Sequence, residues 1–133
     1  MVRRRLLLTL GLMALPLFAR AAEDKAERKK GGGASFIQIQ TLTATIIRPD
    51  GRRGVMTVEA GLDIPDNGLR ERAEASIPRL RAAFAQVVQI YAAGFPPAAV
   101  PNADFLSREL QRQTDMVLGR PGAKLLLGTI LVN

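Results

Sequence analysis

Catalysis needs a titratable or nucleophilic group, and this chain of 133 residues contains neither histidine nor cysteine. That removes histidine-based triads, thiol nucleophiles and nearly every zinc centre. Carboxylates remain. Glu59 with Asp63, and Glu71 with Glu74, are near enough in sequence to be weighed as acid–base or metal-binding pairs. Both pairs fall on faces expected to be wet, so solvated surface charge is the better reading. Tyr91 closes an apolar helical stripe and reads as a core or boundary residue. No catalytic, cofactor-binding or metal-binding residue is assigned, and a non-enzymatic protein is expected.

Recognition by cations is the chemistry left. Arg48, Arg52 and Arg53 gather where two strands turn, and Arg70, Arg72, Arg79 and Arg81 flank a proline in a helical stretch. Arg48, Arg52, Arg53, Arg70 and Arg79 are the candidate partner-binding residues, suited to an acidic protein surface. The competing reading makes the helical arginines an ordinary solvent face, interspersed as they are with Glu71 and Glu74.

The formal charge of +7 overstates this basicity. Residues 1–21 read as an export signal: a basic start at Arg3, Arg4 and Arg5, an uncharged and mostly apolar stretch from Leu6 to Ala19, and small residues at Ala19 and Ala21 for a peptidase to cut after. Arg3, Arg4 and the leucines after Arg5 resemble a twin-arginine signal, with Val2 where a Ser or Thr is usual; an ordinary Sec signal is the alternative. The 14 residues from Leu6 to Ala19 fall short of the about 20 that span a bilayer, so cleavage is preferred to a retained inner-membrane anchor. Without that segment 15 basic residues face 12 acidic ones, leaving +3. No tryptophan, one tyrosine and well-mixed charges argue against nucleic acid. Export places the protein in the periplasm, and without cysteine its fold must rest on an apolar core alone.

Residues 22–33, AEDKAERKKGGG, have no large apolar side chain and read as a flexible tether. The fold is expected over residues 34–133 as a single domain. Phe36 to Arg48 is rich in β-branched residues, and its apolar parity switches near Gln40 to Leu42, which predicts a bulge or a change of buried face. Pro49-Asp50-Gly51 is a turn. Val55 to Ile64 alternates cleanly, with Met56, Val58, Ala60, Leu62 and Ile64 on the dry side. A helical stretch then runs to Ala93 with one apolar stripe of Ile77, Leu80, Phe84, Val87, Val88 and Tyr91, broken or kinked near Pro78, where Ser76 is a candidate cap. A second helix spans about Asn102 to Leu118 and is closed by Gly119. Lys124 to Asn133 carries apolar residues on both parities, which predicts a strand covered on both faces or lying mid-sheet, antiparallel to the second strand. The expected class is α+β: a small three-stranded sheet, a hairpin plus the C-terminal strand, with a kinked long helix and a second helix packed on one face.

Several strings resemble the periplasmic domain of the flagellar basal-body-associated FliL family: Val55-Met56-Thr57-Val58-Glu59-Ala60, Ala75-Ser76-Ile77-Pro78-Arg79-Leu80-Arg81, Leu106-Ser107-Arg108-Glu109-Leu110, Val117-Leu118-Gly119 and Thr129-Ile130-Leu131-Val132. The resemblance implies a stomatin/prohibitin-like fold and a non-enzymatic accessory protein that forms homo-oligomers around the flagellar stator. Members are typically anchored by a single membrane pass. A cleaved signal departs from that pattern and leaves another envelope client open. The alternative from a different class is a soluble periplasmic module for a small ligand or lipid, held in a dry pocket lined by Leu80, Phe84 and Leu110.

Overall fold

The computed structural model describes residues 33–133. The export signal, with Arg3, Arg4, Ala19 and Ala21, and nearly all of the tether lie outside the described residues. Ser35–Asn133 forms one unit with the order β1 (Phe36–Ile47), β2 (Arg53–Asp63), α1 (Asn67–Ala75), α2 (Ile77–Ala93), α3 (Ala103–Leu118) and β3 (Lys124–Val132). The strands form an antiparallel sheet in the order β1-β2-β3, with the helices packed on one face, an α+β architecture as expected. No helix among the described residues is long and apolar enough to cross a membrane.

β2 is the central strand, and its alternation explains the core. Met56, Val58, Leu62 and the following Ile64 are wholly buried and Ala60 nearly so, while Val55 and Glu59 face outward. β1 adds Ile39, Leu42 and Ile46 to the same layer. The register between β1 and β2 shifts between Ile39 and Leu42, so the parity switch in the sequence is a bulge that keeps the apolar side chains on one face. Leu69 and Ala73 of α1, Leu80, Phe84, Val88 and Ala92 of α2, and Leu106, Leu110 and Leu118 of α3 close the core from the other side. Each large side chain buried there contributes about 1.5–3 kcal/mol.

Local signals set the helix ends. Asp66 caps α1 by accepting the Leu69 N–H at 2.8 Å, and Asn102 caps α3 by accepting the Phe105 N–H at 3.0 Å. Gly119, at φ 80°, closes α3 in the left-handed conformation. The break before Pro78 is real: α1 ends at Ala75 and α2 starts at Ile77. Ser76 stands at the cap position but makes no side-chain cap bond.

β3 corrects one expectation. It is neither mid-sheet nor covered on both faces; it is an edge strand beside β2. Its register against β2 shifts between Val58 and Ala60, where Gly128 and Thr129 stand opposite the single Glu59. That extra residue moves the inward parity from Leu125 and Leu127 to Ile130 and Val132. The double-parity pattern therefore records a bulge, and Leu126 and Leu131 are left on the open face, 39% and 51% exposed.

Candidate functional site

The five candidate arginines do not converge. Arg48, Arg52 and Arg53 do share the β1–β2 turn, which is built by Gly51 N–H donating to Arg48 O at 2.9 Å and Arg48 N–H donating to Arg52 O at 2.8 Å. Arg48 lies 4.0 Å from Asp50, with both side chains about half exposed. Arg70 lies near the other end of β2, roughly 30 Å along the strand. Its guanidinium is committed locally, donating to Ile64 O at 2.9 Å and to Asn67 Oδ1. Arg70 thus fastens the β2–α1 junction. Arg79 is exposed on the first turn of α2, and nothing in the structure groups it with the others. Arg120, not singled out in the sequence, reaches Asp66 at 3.1 Å. Asp66 is held below the usual carboxylate range, first by the Leu69 N–H and then by the Arg120 charge.

The carboxylate pairs are also separate. Glu59 and Asp63 are four residues apart on the open face of β2, about 13 Å along the strand, and Asp63 accepts a 2.5 Å hydrogen bond from Ser35 Oγ. Glu71 and Glu74 are solvent-exposed on α1. Among the described residues no three acidic side chains gather as metal ligands do.

A concave surface exists where the sequence did not place one. Leu80, Phe84 and Leu110 are wholly buried against the sheet, so the space they bound is packed. The apolar stripe of α2 is in fact two adjoining stripes. Leu80, Phe84, Val88 and Ala92 face the sheet, while Ala83, Val87, Ile90 and Tyr91 face α3 and line an open groove of about 560 Å³. Phe105 and Gln113 of α3, and Phe95, Ala99 and Val100 of the connecting loop, complete it.

Aromatic contacts fix its floor. The Tyr91 ring stacks on Phe105 with centroids 5.7 Å apart and tilts against Phe95 at 5.9 Å. Its hydroxyl accepts the Asn102 N–H at 2.7 Å, holding the loop against the helix. Tyr91 is thus a positioning residue whose polar end is already used. On the rim, Arg112 donates to Glu109 at 2.8 Å, so these two charges satisfy one another. Ile90 and Val100 stand out of the groove, 67% and 87% exposed. Apolar side chains this open, beside an apolar floor and a self-neutralised rim, suit an uncharged apolar contact.

Sequence reasoning found Tyr91 but not its partners. Phe95 and Phe105 meet it only because a proline-rich loop folds back across the helix ends. Their one sequence signal is apolarity beside a loop, which is not specific. No protein-family model matches the chain, and no curated protein does.

Proposed function

We propose that this protein is an exported, non-enzymatic accessory module that binds another envelope protein, seating an apolar helix face of that partner in the groove between α2 and α3. The observation that carries the reading is the exposure of Ile90 and Val100 beside a preformed aromatic floor. A groove flanked by two helices accepts a third by ridge-into-groove packing. The Glu109–Arg112 pair leaves no uncompensated charge on that rim, which favours an apolar partner over the acidic one to which the arginines would point.

The address rests on the sequence: a basic start, an apolar stretch and the Ala19-Arg20-Ala21 site support export to the periplasm. A mature N-terminus at Ala22, read by mass spectrometry of the protein from cells, is the expected result. An intact N-terminus would restore the inner-membrane anchor. The resemblance to the FliL family makes the flagellar stator the first partner to test, with another envelope complex as the wider class.

Binding is tested with Ile90→Glu and Val100→Glu. Both sites are exposed, so folding is kept while association with the envelope partner falls. A small apolar ligand is the second reading, favoured by a volume of about 560 Å³, within the usual range for small-molecule sites. Both occupants would touch Val100, which lines the groove, so the two readings separate by what is captured there from cells: a protein for the helical partner, a low-mass compound for the ligand.

A further inference from the structure

The open edge of β3 carries an inference independent of the groove. In an antiparallel ladder, residues alternate between bonding to the neighbouring strand and facing away from it. Asn133 exchanges both backbone hydrogen bonds with Val55, at 2.9 and 3.0 Å, so Val132 and Ile130 face away from β2. Leu125 also faces away, since its N–H donates to Gln111 Oε1 at 2.8 Å, and Leu127 follows by alternation. The bulge at Gly128 and Thr129 therefore divides the edge into two halves, each with outward-facing polar backbone.

Those halves mirror one another. Reading outward from the bulge, Leu127, Leu126 and Leu125 match Ile130, Leu131 and Val132. If the strand meets its own copy about a two-fold axis between Gly128 and Thr129, outward-facing Leu127 lies opposite outward-facing Ile130. Leu126 then lies opposite Leu131 on the open face. Every side-chain pair flanking the bulge is apolar, and the two half-exposed leucines cover each other. A parallel pairing would instead bring the two Lys124 ammonium groups together, whereas the antiparallel one sets each beside Asn133.

We propose that β3 is a self-association edge, through which two copies pair antiparallel about Gly128–Thr129 into a continuous six-stranded sheet. The occupant is a second copy because the complementarity lies within one strand read against its own reverse. Among the described residues no side chain other than Gln111 hydrogen-bonds to this proline-free edge; an open edge invites such pairing, and a closed two-fold contact consumes it. Gln111 limits its length. Its amide also donates to Ala123 O at 2.7 Å, so it occupies the edge on both sides of Lys124 and leaves Leu126 to Leu131 for the partner. So short a contact is smaller than a standard stable interface, and the dimer is accordingly weak and reversible.

The test is sedimentation equilibrium of the full chain over a wide concentration range, with Leu126→Glu, Leu131→Lys and the double variant. Both sites are exposed. The unmodified chain is expected to form a reversible dimer. Each single variant should weaken it roughly tenfold, and the double variant, with opposite charges facing across the axis, should recover most of that loss. A chain that stays monomeric throughout overturns the proposal. So does a dimer indifferent to the single variants, or a double variant no better than the worse single.

Discussion

The side-chain amide of Gln111 holds the backbone flanking Lys124 as a neighbouring strand would: it accepts the Leu125 N–H at 2.8 Å and donates to Ala123 O at 2.7 Å. A helix residue thereby extends the sheet by one peptide-like group and fastens α3 to the start of β3. Gln111 also donates to Asp115 Oδ1 at 3.0 Å, which fixes its rotamer.

Gln111→Ala leaves both backbone groups unpaired at a partly buried site. Its cost should be about 1–3 kcal/mol, read from denaturant unfolding. The same change should strengthen self-association, because the partner strand gains Leu125. A variant as stable as the unmodified chain would show that water replaces the amide without loss.

Phe84 is wholly buried between α2 and the sheet. Phe84→Ala should destabilise by about 3–5 kcal/mol. The corresponding Phe105→Ala, at a residue 39% exposed, should cost much less and act instead on the groove. Equal losses in the two variants, measured by thermal unfolding, would contradict the assignment of Phe105 to a surface floor.

Asp66 predicts an acid-dependent contribution. Its carboxyl is held below 3.8 in the folded protein, mainly by the Leu69 N–H. A lowered folded value means that the stabilisation is complete above that unfolded reference and is lost as pH falls through the folded value. Asp66→Asn keeps a capping oxygen and removes the titration. The stability gap between Asp66→Asn and the unmodified chain should therefore change between about pH 6 and about pH 2. A gap constant across that range would show that the Asp66 charge adds nothing to what a neutral cap supplies.

Much of this architecture was legible in local chemistry. The alternation from Met56 to Ile64 marked the central strand, because only a strand with one dry face has that period. Pro78 marked the helix break, Asn102 and Gly119 marked the ends of α3, and the parity switch after Ile39 marked the β1 bulge. The same reasoning misplaced β3, where an inserted residue imitates a doubly buried strand: Leu126 and Leu131 have the composition of core but sit on an open face. Composition cannot report which face a helix leaves uncovered. The groove is hidden in the sequence for a related reason. Val87 and Tyr91 share helical spacing with Leu80 and Phe84, and a turn of 100° per residue separates the two stripes only once the position of α3 is known. Arg70 looked like a binding residue because a cation's local carbonyl partners, here Ile64 and Pro65, carry no sequence signature.

The groove can be probed through its exposed rim. Ile90→Glu and Val100→Glu should change stability by no more than about 0.5 kcal/mol, since neither side chain is in the core. Both should abolish partner binding. Loss of folding in either variant would mean that the rim is structural.

The most direct measurement is site-specific photo-cross-linking in cells, with the photoreactive residue placed in turn at Val100, Phe105, Arg52 and Arg79, and the adducts identified by mass spectrometry. The groove reading predicts one and the same envelope protein captured from Val100 and Phe105, absent from Arg52 and Arg79, and lost when Ile90→Glu is added. Capture from Arg52 or Arg79 with none from Val100, or adducts that survive Ile90→Glu, would contradict it.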